Sequence, residues 1–130
     1  MKIIKQKYIT EQDCLNNPNS LYIFGDNALR KGKAGQAQIR DCENSFGIIT
    51  KRYPSNYDES FLTDCMRDAL IVKNDLNNLE KILESKQYDT LVIPEDGLGT
   101  GLAKLPEKAP TIFGYLVARL DEIIEKFKDK

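Results

Sequence analysis

At 130 residues, of which 41% are hydrophobic and 30% charged, the chain has the length and composition of one globular domain spanning residues 1–130. Its 19 basic and 20 acidic residues give a formal net charge of −1, so no overall field attracts nucleic acid, and no apolar run is long enough to cross a membrane. The absence of histidine excludes imidazole catalysis and histidine-ligated metals, and three cysteines far apart in sequence favour neither a metal site nor a disulfide framework.

The first part of the chain predicts two strands separated by a short helix. Residues 2–8 mix β-branched and basic residues, which is typical of an outer strand. Thr10, followed three residues later by Asp13, is a helix N-cap signal and predicts a helix that ends near residue 16. Residues 21–24 form a continuous apolar run, as expected of a strand that is buried on both faces.

The next segment repeats the order of strand, glycine-bearing loop and helix. Residues 25–27 (Gly-Asp-Asn) end the buried strand, and residues 28–35 form a cationic loop with two glycines. Residues 35–44 favour a helix, and residues 46–51 read as a third strand. Residues 52–60 contain proline, serine and asparagine, which predicts a loop that can act as a lid over a site.

The last part of the chain carries two helical patterns on either side of a short strand. Residues 61–63 fit either a short strand or the first turn of a helix, and the pattern leaves both open. Leucines and isoleucines at helical spacing predict an amphipathic helix over residues 72–86. Residues 91–93 are the fourth strand, and a long apolar stripe predicts a helix over residues 106–126.

Strands that alternate with helices predict an α/β fold, specifically a three-layer α/β/α sandwich with a mixed, mostly parallel central sheet. In such sheets ligands bind beyond the carboxyl ends of the strands, where the connections diverge. Three polar or glycine-rich segments follow predicted strand ends, namely residues 25–27, 50–51 and 95–101. We expect them to share one rim and to form one cleft.

The segment around which this cleft is built has glycines at positions 97, 99 and 101. Glycine permits positive φ and removes the Cβ atoms that would keep a ligand away from the main chain. Because a strand precedes the loop and a predicted helix follows it, the backbone N–H groups and the helix N-terminus can together bind an anion. The spacing matches neither the dinucleotide fingerprint nor the P-loop, so a glycine-rich turn without a ligand stays an alternative.

The candidate ligand-binding residues are those at the strand ends and on the adjacent loops: Gly25, Asp26, Asn27, Arg30, Gly35, Gln36, Arg40, Thr50, Lys51, Asp96, Gly97, Leu98, Gly99, Thr100, Gly101 and Leu102. Asp26 and Asn27 can hydrogen-bond a base and a ribose, or form a turn at the strand end. Arg30 can clamp a phosphate, whereas Arg40 can reach either the cleft or the surface. Lys51 can pair with a phosphate or, if burial lowers its pKa, act as a nucleophile assisted by Asp96.

The order of these motifs resembles that of macro domains, which bind ADP-ribose, over residues 21–120. It is most similar to the compact branch that removes ADP-ribose esters, on four stretches: residues 25–27 at the adenine side, residues 32–46, the Thr-Lys pair that ends residues 48–51, and the proline-ended strand 91–94 with the glycine loop that follows it. The resemblance implies that Lys51 occupies the catalytic lysine position of that branch. At the position of its assisting acid this chain has Ala103, which favours capture of a ligand over hydrolysis.

Three functions follow as hypotheses. The first is a binding module for a small ADP-ribose-like, NAD-derived or cyclic nucleotide, which in a phage protein would sequester a signalling nucleotide. The second is an ADP-ribosyl hydrolase that uses Lys51 and Asp96. The third, nucleic-acid binding, is disfavoured by the balanced charge. We expect a cytoplasmic protein with no metal, no cofactor and no membrane partner, and the sequence leaves open whether it forms a homo-oligomer.

Overall fold

A computed structural model describes residues 1–129 as four strands, four α-helices and two short 3₁₀ helices. In chain order these are β1 (Lys2–Gln6), α1 (Glu11–Asn16), β2 (Ser20–Asn27), the 3₁₀ helix Gly35–Ile39, β3 (Ser45–Lys51), the 3₁₀ helix Asp58–Ser60, α2 (Met66–Glu84), β4 (Thr90–Pro94), α3 (Leu105–Lys108) and α4 (Pro110–Phe127). The α/β class predicted from the sequence is confirmed. Within these residues no helix is both long enough and apolar enough to cross a membrane.

The four strands form one sheet in the order β1-β4-β2-β3, and every pair of neighbouring strands is parallel. The predicted outer strand β1 lies at one edge and β3 at the other. The antiparallel component is an isolated bridge between Lys51, the last residue of β3, and Phe61. This bridge answers the open question about residues 61–63, since Phe61 pairs with a strand and does not begin a helix.

Both faces of the sheet are covered, because alternate residues of the central strands point into separate apolar clusters. Leu21 and Ile23 of β2 pack in the larger cluster with residues of α2 and α4. Tyr22 and Phe24 pack in the smaller cluster, together with Cys14 of α1 and residues of the first 3₁₀ helix. The sheet is therefore sandwiched between two long helices on one face and two short ones on the other.

Two predicted helices have the wrong extent, because the residue pattern did not account for the backbone conformations at proline and at glycine. The predicted helix over residues 106–126 is broken at Ala109, which has φ −145° and ψ 69°, because proline at position 110 disfavours helical geometry in the residue before it. The predicted helix over residues 35–44 is only the 3₁₀ helix Gly35–Ile39, which begins at a positive φ of 58°.

A third boundary is wrong in the opposite direction, since α2 begins at Met66 and not at residue 72. Its added first turn contains Asp68, which is buried and accepts hydrogen bonds from Arg52 at 2.6 Å and from the backbone N–H of Thr63 at 2.9 Å. The prediction missed this turn because the amphipathic pattern requires an apolar residue on the buried side, and a buried, paired carboxylate occupies that place.

Candidate functional site

The strand ends diverge between β2 and β4, the two central strands of the sheet. Their pairing stops at Tyr22 and Val92, so β2 continues to Asn27 with its β4-facing edge open. The chain that leaves β2 packs on the face of the smaller cluster, while the chain that leaves β4 reaches the larger cluster through Leu105. Crevices of this kind are where open α/β sheets bind ligands.

Gln36 spans this crevice with both ends of its side-chain amide. Its Oε1 accepts a hydrogen bond from the backbone N–H of Gly25 at 2.9 Å, and its Nε2 donates to the carbonyl of Gly97 at 3.0 Å. The end of β2 and the start of the glycine loop are therefore held at a fixed separation. The sequence identified Gln36 as a candidate, but not as the residue that joins these two segments.

Glycine allows the three strand ends to approach one another closely. A Cβ atom added to Gly25 would lie 3.3 Å from Oγ1 of Thr50 and 3.6 Å from the backbone nitrogen of Gly99. A Cβ atom added to Gly99 would lie 3.1 Å from Cβ of Thr50. The ends of β2 and β3 and the glycine loop thus share one rim, as the sequence predicted.

The loop after β4, residues 97–104, presents a run of backbone donors without internal acceptors. Gly97 and Gly99 have φ of +88° and +76°, and the loop is fastened by hydrogen bonds from the N–H of Gly97 to the Pro94 carbonyl and from Thr100 Oγ1 to the Asp96 carbonyl. In the part of the chain that the structure describes, the N–H groups of residues 98–103 have no acceptor. Backbone donors are normally paired, so six consecutive donors without a protein acceptor are groups that an anion could bind.

The helix N-terminus that the sequence placed behind this loop does not contribute. The helix that follows directly, α3, has only four residues. The long helix α4 has its first N–H groups capped, because Asp64 accepts hydrogen bonds from Thr111 at 3.0 Å and from Ile112 at 2.9 Å. That part of the prediction is wrong, and the donors available at this loop are its own amides.

Asp26, Arg30 and Arg40 are committed to an internal ion network. Asp26, whose side chain is 2% exposed, accepts hydrogen bonds from Arg40 at 2.5 and 2.9 Å and from Arg30 at 3.1 Å. Arg30 also donates to Asp75 at 2.6 Å, and Asp75 accepts from the N–H of Ile49 at 2.7 Å. Burial raises the pKa of Asp75 even though Ile49 and Arg30 oppose the shift. Asp75 was not identified from the sequence.

Several other candidates are also held by contacts within the chain. The side chain of Asn27 forms a turn, because its Oδ1 accepts from the N–H of Leu29 and its Nδ2 donates to the Lys31 carbonyl. Gly35 has open space around its Cα, and Leu98 is buried in the larger cluster, whereas Leu102 is 72% exposed. Direct contact of these residues with a ligand stays a prediction.

A cavity of about 260 Å³ opens between the ends of β1, β2 and β4, next to the glycine loop. Its walls combine apolar side chains from the smaller cluster with polar ones, and they include Ile9, Phe24, Ile39, Gln38 and Asp96. Of the candidate residues it contains Gly35, Gln36 and Asp96. Sequence reasoning missed the contribution of residues 6–9, because nothing in the local pattern reveals that β1 pairs with β4.

Lys51 is not among the residues that line this cavity. It is 9% exposed, and its Nζ donates to Asn56 Oδ1 at 3.0 Å. Burial and, to a smaller extent, the charge of Lys104 lower the pKa of Lys51. No hydrogen bond or ion pair joins it to Asp96 among residues 1–129, so the predicted catalytic pair is not in contact. The described part of the chain also has no cluster of three or more cysteine, aspartate or glutamate residues that could hold a metal ion.

Residues 4–119 match the model of a family of unknown function, DUF7831, so the match includes the last three residues of β1, all of β2, β3 and β4, and the first ten residues of α4. No curated protein and no solved structure matches the chain.

Proposed function

The chain belongs to the DUF7831 family, whose function is unknown, and we propose from its site that it binds a small nucleotide-derived ligand whose phosphates rest on the backbone amides of residues 98–103. The ligand class includes ADP-ribose and related NAD-derived or cyclic nucleotides. A macro-like mode of binding is part of this proposal, and so is a cytoplasmic role in capturing a signalling nucleotide.

The observation that carries the proposal is the run of six N–H groups without acceptors in a loop fastened at both ends. A hydrogen bond to a charged group contributes about 1.5–3 kcal/mol, so two or three such bonds to a phosphate contribute about 3–9 kcal/mol before ordering costs. A micromolar affinity corresponds to about 8 kcal/mol, so contacts with the rest of the ligand have to supply the remainder. The loop is held by Gln36 and by its own turns, so little ordering remains to be done on binding. The hydrogen bonds from Gln36 and within the loop therefore hold the glycine loop in one shape.

The neighbouring cavity supports a nucleotide over a free inorganic anion. Pockets that bury a whole drug-sized ligand measure about 300–1,000 Å³, so 260 Å³ suits one ring system and not a complete dinucleotide. Ile9, Phe24 and Ile39 offer an apolar surface for the faces of a base, while Gln38 and Asp96 offer hydrogen-bonding groups for its edge. A base in the cavity would leave its phosphates beside the glycine loop.

The proposal is tested by following the backbone amides directly. In ¹⁵N-labelled protein titrated with ADP-ribose, ADP and pyrophosphate, we expect saturable shifts for the amides of residues 98–103 with all three compounds. Shifts around Ile9 and Ile39 are expected with the two nucleotides alone. Amides 98–103 that do not respond to any of the compounds would refute the proposal. Gly101→Ala, which adds a methyl group where no atom lies within 4 Å, should weaken binding of ADP-ribose without unfolding the protein.

Hydrolysis is the second candidate function, and it is favoured by the lowered pKa of Lys51 at the same rim. A neutral lysine amine can attack the anomeric carbon of an ADP-ribose ester and displace its carboxylate, after which water releases the ADP-ribose from the lysine; an ordinary lysine is protonated at pH 7. Incubation with ADP-ribosylated substrate, followed by denaturation and mass spectrometry of the released small molecules, separates the two functions. Unaltered ligand supports capture. Turnover that is lost in Lys51→Arg, which keeps the charge but not the amine, supports the hydrolase.

A further inference from the structure

Three lysines from different segments surround the buried ring of Phe61. The Nζ atoms of Lys51, Lys104 and Lys108 lie 5.1, 6.0 and 5.0 Å from the ring centroid. Lys51 ends β3, Lys104 ends the glycine loop and Lys108 ends α3, while Phe61 is 4% exposed. The attraction between ammonium groups and an aromatic ring holds each of these side chains against the same ring, and the charge of Lys104 acts on Lys51.

No carboxylate neutralises this cluster. Throughout residues 1–129, none of the three lysines forms an ion pair within 4.0 Å, and the one polar partner of Lys51 is the uncharged Asn56. Lys33, Lys126 and Lys128 do form ion pairs with carboxylates. The three lysines around Phe61 differ from the other unpaired lysines of residues 1–129 in sharing a single aromatic ring. Three like charges held around one ring repel each other unless an anion lies between them. Burial makes the charged form of Lys51 still less favourable, which lowers its pKa.

We propose that Lys51, Lys104 and Lys108 form a second anion site, which binds a phosphate monoester. A phosphate monoester carries a charge of about −1.5 to −2 at pH 7, which suits three positive charges better than a single carboxylate does. Lysine side chains supply compact, movable donors and bind phosphate as point charges, without the planar geometry with which arginine recognises a carboxylate.

The second site adjoins the glycine loop, because Lys104 is the last residue of residues 97–104 and Lys51 follows Thr50, the neighbour of Gly99. The position of the second site beside the loop defines the ligand more narrowly, and this part of the inference rests on the proposed function. The ligand then has one phosphate group on the loop amides and a separate terminal phosphate at the lysines.

The experiment is a titration with inorganic phosphate at constant ionic strength, with acetate as the monoanionic comparison. Lysine ¹³Cε signals report on the second site, and backbone amides 98–103 report on the loop. We expect saturable shifts for Lys104 and Lys108 with phosphate but not with acetate, and at least tenfold weaker binding at this site in Lys108→Gln. Lys73→Gln, at an exposed position of α2, is the matched control and should leave both reporters unchanged.

The outcomes separate the two proposals. If phosphate shifts the loop amides but shifts the ¹³Cε signals of Lys104 and Lys108 no more than that of Lys73 in the unsubstituted protein, the second site is refuted and the proposed function stands. If the lysines respond and the amides do not, the second site stands and the proposed function fails. Equal responses of Lys104 and Lys108 to acetate and phosphate would refute the assignment of a phosphate monoester.

Discussion

Replacing Gly99 by alanine tests whether the glycine loop is built as described. Gly99 has φ +76°, and a Cβ atom there would lie 2.9 Å from Cβ of Leu105 and 3.1 Å from Cβ of Thr50. A left-handed conformation costs alanine about 1–2 kcal/mol, and overpacking costs a further 1–3 kcal/mol. Because alanine also restricts the unfolded chain by about 0.4–1 kcal/mol, we expect a net loss of about 2–4 kcal/mol.

Urea unfolding followed by circular dichroism measures this loss, and a thermal scan should show a fall in Tm of roughly 8–16 °C for a chain of this length. The matched control is Gly101→Ala, since Gly101 has no positive φ and no atom within 4 Å of the added methyl group. Its stability should stay within about 0.5 kcal/mol of the parent protein. Equal stability of Gly99→Ala and the parent, or a larger loss in Gly101→Ala, would refute the described loop conformation.

Three further predictions concern stability and reactivity. Gly47→Ala should lose about 3 kcal/mol or more in urea unfolding, because its Cβ would lie 2.5 Å from Oδ2 of Asp26 and would disrupt a buried ion pair. Iodoacetamide at pH 8 should modify Cys65 before Cys14, because a hydrogen bond with Thr63 lowers the pKa of Cys65, whereas burial raises the pKa of Cys14 to about 12. Mass spectrometry that finds Cys14 modified first would contradict this order. Lys51→Met should raise the free energy of unfolding at pH 7, because the folded state disfavours the charged form of Lys51. This gain should vanish as the pH rises toward about 10.4, where the unfolded lysine also loses its proton. A gain that persists at higher pH would contradict the lowered pKa of Lys51.

The sequence predicted the features that depend on neighbours along the chain. The apolar runs of β2 and β4 showed that these strands are buried on both faces, and Thr10 with Asp13 forms the expected capping box at α1. The break at Pro110 was also readable, because proline restricts the residue before it, but the apolar stripe of the helix obscured it.

The missed side-chain contacts join distant parts of the chain. Gln36 contacts Gly97 across 61 positions, and Arg30 contacts Asp75 across 45. Local patterns carry no information about such pairs, because they depend on strand order and on which loop lies above which strand. This is why the strand-end residues were identified as a group while their division between structural and exposed roles was not.

That division follows from the magnitudes of the interactions. Leaving a buried carboxylate such as Asp26 without its partner costs about 3–5 kcal/mol, whereas a hydrogen bond from arginine to a ligand phosphate contributes about 1.5–3 kcal/mol. Arg40, with an exposed fraction of 15%, donates two of the three arginine hydrogen bonds that Asp26 accepts, so turning from Asp26 to a ligand would break two such bonds and leave that carboxylate with Arg30 alone.

At this rim the donors without a carboxylate partner include the loop amides and the lysines around Phe61, which are the groups that we propose bind the anion. Substitution of Arg40 should therefore change the stability of the fold, while substitution of Lys108 should change the affinity for phosphate. Measuring both properties in both variants separates the residues that hold the rim in shape from those that recognise the ligand. A variant such as Arg40→Gln that keeps its stability but loses phosphate binding would reverse this assignment.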